Sequence, residues 1–291
     1  MRFDIVVLVK QVPDTQNITG QAMKEDGTVN RSALPAIFNP EDLHALEAAL
    51  TIKDKYPGTK VNVLTMGPPA AVQVLKESLF RGADKVALIS DKRFAAADTL
   101  ATSYALRCAI VNKIGKFDLV MCGRQAIDGD TAQVGPQTAE KLGINQITYV
   151  NEIKEVTEKS ITCRKAIDGG TEVVRSPLPC LLTFTDENYP PRPPSVKLLM
   201  ANKNATTGGQ DQYDESYLDS ARKLGRTVLI DQWDVDIIGA DPVQCGLSGS
   251  PTKVKKIDSV ILKSSSMKLI PNTEADIGQM VHELIADHTI G

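Results

Sequence analysis

The run Phe117-Asp118-Leu119-Val120-Met121-Cys122-Gly123-Arg124-Gln125-Ala126-Ile127-Asp128-Gly129-Asp130-Thr131-Ala132-Gln133-Val134-Gly135-Pro136-Gln137 decides the fold. Its first six residues, Phe117–Cys122, form a short strand candidate that is apolar on both faces. A helical pattern follows over 131–142. Asp130 or Thr131 stands where a helix cap is expected, and Gln133 lies three residues beyond Asp130, as in a capping box. Gly123, Gly129 and Gly135 allow tight turns and close backbone approach. A strand leading through such a loop into a helix presents free backbone N–H groups, which suit an anion. Arg124 adds a charge that could reach a phosphate. The stretch reads as a nucleotide-phosphate loop; the residues alone leave open a glycine-rich turn before an ordinary helix. It is neither G-x-G-x-x-G nor a loop ending in G-K-[ST], so the usual dinucleotide and P-loop patterns do not apply.

Upstream, the same strand–helix rhythm repeats. Strand candidates are Asp4–Val9, Val61–Met66, Lys85–Ser90 and, after the loop, Gln146–Val150. Helical patterns lie near 41–55, 69–82 and 98–114. The first helix has Asn39 as N-cap, Pro40 at its first position and Glu41 and Asp42 in its first turn. Asp98 can cap the third, where Thr99, Ala101, Thr102 and Ser103 are small enough to admit a phosphate; a plain N-cap remains the alternative. This alternation predicts an α/β fold with a doubly wound, mostly parallel sheet. Such sheets bind ligands at the carboxyl ends of the strands, where strand order reverses.

After residue 150 the rhythm changes. Residues 151–176 alternate polar and apolar around Asp168-Gly169-Gly170, which predicts an antiparallel ribbon with a tight turn. An apolar strand follows at Leu178–Phe184, then the Pro-rich run Tyr189-Pro190-Pro191-Arg192-Pro193-Pro194. The expected division is 1–203 as a nucleotide-binding domain, 204–225 as a polar linker and 226–291 as a C-terminal arm. The arm holds two possible strands, Thr227–Gln232 and Val254–Leu262. Its last helix places Ile277, Met280, Val281, Leu284 and Ile285 on one stripe, expected to be buried. So few elements make a poor core alone, so the arm is expected to pack on a partner chain; folding back on the first domain is the alternative.

Composition excludes several classes. The 291 residues carry 33 Lys+Arg against 36 Asp+Glu, so there is no basic footprint for nucleic acid. The longest apolar runs fall far short of the roughly 20 residues that a membrane helix needs, so no membrane insertion is expected. Asp4 directly before the first apolar run, with no small-residue cleavage site, does not fit a signal peptide. The five cysteines form no C-x-x-C pair and the three histidines are scattered, so neither a disulfide framework nor a metal site is expected. A reducing cytoplasm is the natural compartment. Aromatic residues make up only 4%, which leaves an aliphatic core and few rings to stack on a ligand.

Several motifs together resemble the β subunit of electron-transfer flavoproteins across at least residues 1–203. They are Val9-Lys10-Gln11-Val12-Pro13-Asp14, Asn39-Pro40, Gly82-Ala83-Asp84 and Gly123-Arg124-Gln125-Ala126-Ile127-Asp128. The ribbon adds Lys165-Ala166-Ile167-Asp168-Gly169-Gly170-Thr171-Glu172-Val173-Val174 and Pro179-Cys180-Leu181-Leu182-Thr183. Cys163 stands where the family usually has a small aliphatic residue. The resemblance implies a heterodimer with an α subunit, in which the β subunit holds an adenine nucleotide. The housekeeping branch holds AMP there, with a loop like Ala-Ile-Asp-Asp-Asp. Here Ala126-Ile127-Asp128-Gly129-Asp130 is similar to the electron-bifurcating branch, which holds FAD. Removing a carboxylate lowers charge repulsion and bulk beside a diphosphate.

The resemblance further implies that Leu8, Asn39, Asp42 and Met66 contact the adenosine. Gly123, Arg124, Gln125, Asp128, Gly129, Asp130, Thr131, Ala132, Gln133, Val134, Gly135 and Pro136 then wrap the ribose and diphosphate. Asp98, Thr99, Ala101, Thr102 and Ser103 supply the second helix start that a dinucleotide needs. No catalytic side chain is implied. NADH gives a hydride to this FAD, and the electrons divide between ferredoxin and an α-subunit FAD that serves a partner flavin dehydrogenase, or the reverse. Arg192-Pro193-Pro194-Ser195-Val196-Lys197 aligns with the loop that docks that dehydrogenase, although Pro193 and Val196 depart from the usual aromatic and Leu. Cys245-Gly246-Leu247-Ser248-Gly249-Ser250-Pro251-Thr252-Lys253-Val254 also resembles bifurcating members. A nucleotide-sensing protein on the same scaffold, without redox chemistry, is the alternative of a different class.

Overall fold

Successive residues of a strand face opposite ways, so a strand covered on both faces must be apolar at every position. In the computed structural model, which describes residues 1–14, 34–208, 214–252 and 268–286, the first strand shows this plainly. Along β1 (Asp4–Leu8), Ile5 and Val7 enter one core and Val6 and Leu8 the other. The first core is roofed by α1 (Pro40–Lys55) and α2 (Val72–Arg81), through Leu46, Leu50, Leu75 and Leu79. The second is roofed by α3 (Thr99–Ala109) and α4 (Val134–Leu142), through Ala105, Leu106, Ala109 and Ala139. Both cores are largely aliphatic.

The other parallel strands are β4 (Lys60–Met66), β5 (Lys85–Ile89), β6 (Leu119–Gly123) and β10 (Cys180–Phe184). A small antiparallel pair, β2 (Gln11–Pro13) and β3 (Ala36–Phe38), lies between β1 and α1. With β7 (Asn145–Val156), β8 (Ser160–Ile167), β9 (Gly170–Pro177) and β11 (Asp231–Trp233), the nine-stranded sheet has the order β11-β5-β4-β1-β6-β10-β7-β8-β9. The chain runs from β1 outward to β4 and β5, then returns to β6 on the other side of β1. Ile5 pairs with Val61 on one side and Leu119 on the other. The order thus reverses at β1–β6, the place where doubly wound sheets take ligands.

The ribbon lengthens the sheet. β7 (Asn145–Val156) continues well past Val150 and pairs antiparallel with β8 (Ser160–Ile167), which pairs with β9 (Gly170–Pro177). Gly169, with φ +77°, makes the expected turn at Asp168-Gly169.

Two expectations for the tail need correction. The span read as a linker contains α6 (Glu215–Lys223), capped by Asp214, whose side chain accepts a hydrogen bond from the Ser216 N–H; α5 (Val196–Asn202) ends just before it. Polar surface residues hid a helix that buries only Leu218 and Ala221. Residues 231–252, read as part of an arm for another chain, lie on this chain's own sheet. β11 (Asp231–Trp233) pairs parallel with the free edge of β5, and Trp233, Val235, Ile238 and Cys245 complete the second core. A three-residue strand is too short for a periodic signal. Val254–Leu262 lies outside the described residues. In α7 (Glu274–Ala286) no residue is buried: Ile277 is 42% exposed, Val281 39% and Ile285 50%. The stripe is real, but nothing described in this chain covers it. No helix among the described residues is long and apolar enough to cross a membrane.

Trp233 is the only tryptophan, so it reports on how β11 is held. In urea, the fluorescence transition of Trp233 should coincide with the loss of far-UV circular dichroism. An earlier fluorescence transition would show that 231–252 detaches from the sheet on its own.

Candidate functional site

At the β1–β6 reversal the two strand ends need new hydrogen-bond acceptors, and the first turn of α1 provides them. Asp42 is buried, with one carboxylate oxygen accepting from the Lys10 N–H at 2.9 Å and the other from the Gly123 N–H at 2.8 Å. Glu41 accepts from the Gln125 N–H at 2.8 Å and pairs with the Arg124 guanidinium at 2.8 Å. Asn39 donates to the Gln125 carbonyl at 2.9 Å and accepts from the Ile127 N–H at 3.1 Å. It occupies the N-cap position, yet its side chain caps nothing, because the long-range loop takes both its groups. Pro40 needs no cap partner, having no N–H.

These anchors require close approach. A β-carbon on Gly123 would sit 2.6 Å from Asp42 Oδ1 and 2.7 Å from Glu41 Cβ. One on Gly135 would sit 2.8 Å from Thr183 Cγ2 and 3.0 Å from Cys122 Sγ. Gly129 differs: nothing lies within 4 Å of the position its β-carbon would take. The loop's two fixed ends therefore flank an open middle.

The loop geometry overturns the expected caps. α4 begins at Val134, not near 131, and its N-cap residue, Gln133, makes no side-chain cap. The Asp130 carboxylate is taken by Gln125 Nε2 at 2.9 Å, and Asp130 and Ala132 hold positive φ of 48° and 51°. Two non-glycine residues in the left-handed region are strained, and such strain collects at functional loops. Helix geometry leaves the N–H groups of Val134 and Gly135 without intrahelical acceptors, and Pro136 has none to offer. An uncapped start of this kind can take an anion.

Asp98 caps α3 as expected, accepting from the Ala101 N–H at 3.0 Å. The two helix starts are joined: the Thr99 hydroxyl donates to Gln133 Oε1 at 2.9 Å, and Ser103 Oγ lies 3.5 Å from Gln137 Oε1. Ala101 and Ser103 are buried, so they set helix spacing while Thr99 and Thr102 stay partly exposed. Leu8 and Met66 stand at the carboxyl ends of β1 and β4, packed with the second core. The structure thus brings all the expected site residues to one end of the sheet. Two clefts of about 340 and 320 Å³ lie at the opposite end, around Asp84, Lys85 and Asp231, away from this loop.

Arg124 does not stand free for a phosphate. Glu41 holds it, and its guanidinium lies 5.6 Å from the centroid of the Tyr149 ring. A second cation, Lys10, reaches the loop from the end of β1, its Nζ 2.7 Å from Asp128 Oδ1. Lys10 and Glu41 were not singled out from the sequence as site residues. The position of Lys10 directly after the first strand was the available signal. Ser250 and Thr252 were also missed: Ser250 Oγ accepts from the Asp98 N–H at 2.8 Å, and Thr252 Oγ1 donates to Asp98 Oδ2 at 2.6 Å.

Burial pushes the Asp42 carboxyl up to about 7, against the Gly123 and Lys10 N–H groups, which pull it down. Burial also raises Glu41, opposed by the Gln125 N–H and by Arg124. The Cys122 thiol is raised by burial and by the nearby Asp42 and Glu41, which leaves it inert.

An electron transfer flavoprotein domain matches residues 26–224. The chain belongs to the electron transfer flavoprotein family, among its β subunits. It is 42% identical to the caffeyl-CoA reductase-Etf complex subunit CarD of Acetobacterium woodii, over 98% of this chain and 99% of that protein. It is 40% identical to the electron transfer flavoprotein subunit beta of Clostridium acetobutylicum, over 99% of this chain and the whole of that one. Protein FixA of Sinorhizobium fredii is 38% identical, over 97% of this chain and 92% of FixA.

The Asp42 bridge is testable. The folded chain binds this proton more tightly than the unfolded chain, whose Asp titrates near 3.8. Stability from this group is full below about pH 4 and is lost as pH rises through about 7. Asp42→Asn should remove that part of the pH slope. At pH 5, where the group still contributes, it should cost about 1–3 kcal/mol in urea unfolding, because an amide accepts from one N–H and opposes the other. An unchanged midpoint and slope would refute the bridge.

Proposed function

We propose that this chain is the β subunit of an electron-bifurcating flavoprotein heterodimer, with FAD held between the 123–136 loop and the start of α3. In this reading NADH is the hydride donor. The electrons part between a low-potential acceptor such as ferredoxin and an α-subunit FAD that serves a partner flavin dehydrogenase, or flow in reverse. The observation that carries the proposal is the Thr99–Gln133 hydrogen bond, which joins two helix starts beside a loop left open at Gly129. AMP has one phosphate and needs one such start; a dinucleotide has two phosphates and can use both. The name of CarD, which places that protein in a caffeyl-CoA reductase-Etf complex, is consistent with this reading.

The donor set fits the group. The uncapped N–H groups of α4 and the hydroxyls of Thr99, Thr102 and Thr131 can meet a diphosphate, while Lys10 offsets its charge; at α3 Asp98 already takes the Ala101 N–H, so that start offers hydroxyls. Asn39, Glu41 and Asp42 work one step back, holding the loop in register. A bound flavin supplies the hydride and one-electron chemistry. The residues of this chain bind and orient, and none is placed as a nucleophile or general base. The uncovered stripe of α7 suits a contact with the α subunit, and the exposed Val196 and Met200 of α5 suit docking of the dehydrogenase.

The purified heterodimer should hold two FAD and no AMP, measured by denaturing extraction and chromatography. One FAD with one AMP would make this a housekeeping subunit. A stable chain needing no α partner, and no flavin absorbance on co-expression, would support a nucleotide sensor. Gly129→Asp should reduce the second FAD and the fast phase of NADH reduction, since it puts a carboxylate into the open part of the loop. Unchanged flavin content in that variant would refute the loop assignment.

A further inference from the structure

The tail segment does more than complete the sheet edge. After β11 it follows the β5–α3 connection step by step. The Ser90 N–H donates to the Trp233 carbonyl, and Arg93 bridges Asp91 and Asp236 at 2.6 and 2.7 Å. The Leu247 N–H donates to the Ala95 carbonyl at 3.1 Å. Gly246, with φ +53°, lies so close to Arg93 that a β-carbon there would be 2.2 Å from its carbonyl oxygen. No other residue type fits that contact.

The path ends on Asp98. Ser250 Oγ accepts the Asp98 N–H and donates to the Gly246 carbonyl at 2.7 Å. The Thr252 N–H and hydroxyl both donate to Asp98 Oδ2, at 3.1 and 2.6 Å, while Oδ1 caps the Ala101 N–H. One carboxylate thus serves the helix start with one oxygen and the tail with the other. Desolvation raises the Asp98 carboxyl, but the hydrogen bonds from Thr252 and Ala101 outweigh it and lower it from its ordinary value. Ala96, two residues before it, takes a positive φ of 57°. A non-glycine residue held so needs restraint from its surroundings.

We infer that Ser250 and Thr252 are positioning residues for the cofactor site: acting through Asp98, they fix the first turn of α3 and couple the C-terminal arm to nucleotide retention. This inference rests on the proposed use of the α3 start for a phosphate.

The test uses the complete heterodimer, in wild-type form and with Thr252→Val, Thr252→Ser or Ser250→Ala. Two quantities are read: release of bound nucleotide on dilution, and hydrogen exchange of the first-turn amides of α3. Thr252→Val should speed FAD release about tenfold, as expected for loss of a hydrogen bond to a charged group, and raise exchange at 101–102. Thr252→Ser keeps the hydroxyl and should restore both. Ser250→Ala should act in the same direction with a smaller change, and it serves if Thr252→Val does not fold. Unchanged exchange in Thr252→Val or Ser250→Ala would overturn the latch. Faster exchange with unchanged FAD release would overturn its link to the cofactor. If the heterodimer yields AMP in place of the second FAD, the bifurcating reading fails, while exchange at 101–102 still decides the latch.

Discussion

The Asp42 carboxylate links two backbone ends that the sheet cannot link. β1 and β6 lie side by side, but their connections leave for opposite faces, so the N–H groups just beyond them lack ladder partners. Asp42 accepts from both, and it does so from the first turn of a helix, where the macrodipole favours negative charge. Burying a carboxylate is costly, and its raised pKa shows that the cost is only partly offset. The arrangement persists because the loop depends on it. Glu41 and Asn39, from the same turn, hold residues 124–127. Without that turn the loop has no fixed origin, and the helix starts it connects have no fixed separation.

The sheet was legible because its strands are buried on both faces, and continuous β-branched runs such as Ile5–Val9 have few other uses. The caps were less legible. Asn39 and Asp130 are residue types that favour caps, yet Asn39, at the N-cap of α1, is drawn to a distant loop, and Asp130 falls three residues short of the real cap position and binds Gln125. Ile127 lies 88 positions from Asn39, and no local pattern reveals such a partner. Asp98 kept its local role because its second oxygen was free for the distant one. A cap reading survives folding when the side chain can serve both demands.

The tail shows the same limit. Asp231–Trp233 is too short for a period of two to register, and it becomes a strand only because β5 offers an unpaired edge. The hydroxyls of Ser250 and Thr252 carry no signal by type, since such residues fill most loops. Their role comes from Gly246, which lets the backbone pass close enough to Arg93 to bring them to Asp98. Residues 231–245 belong to this chain's core, while α7 keeps its apolar stripe uncovered.

The scarcity of aromatic residues acquires a physical sense here. Tyr149 is the ring beside the loop, and it already faces Arg124. A ligand at this end of the sheet would therefore be held by backbone N–H groups, small hydroxyls and one lysine more than by stacking. Binding of that kind depends on the exact placement of helix starts, because an N–H group displaced by an ångström no longer makes a good hydrogen bond. Each start has its own restraint: α4 is held through Gly135, wedged against Thr183 and Cys122, and α3 through Asp98 and the tail. The first restraint is internal to the sheet. The second is a contact across 154 positions of sequence, made by the tail that also completes the sheet edge.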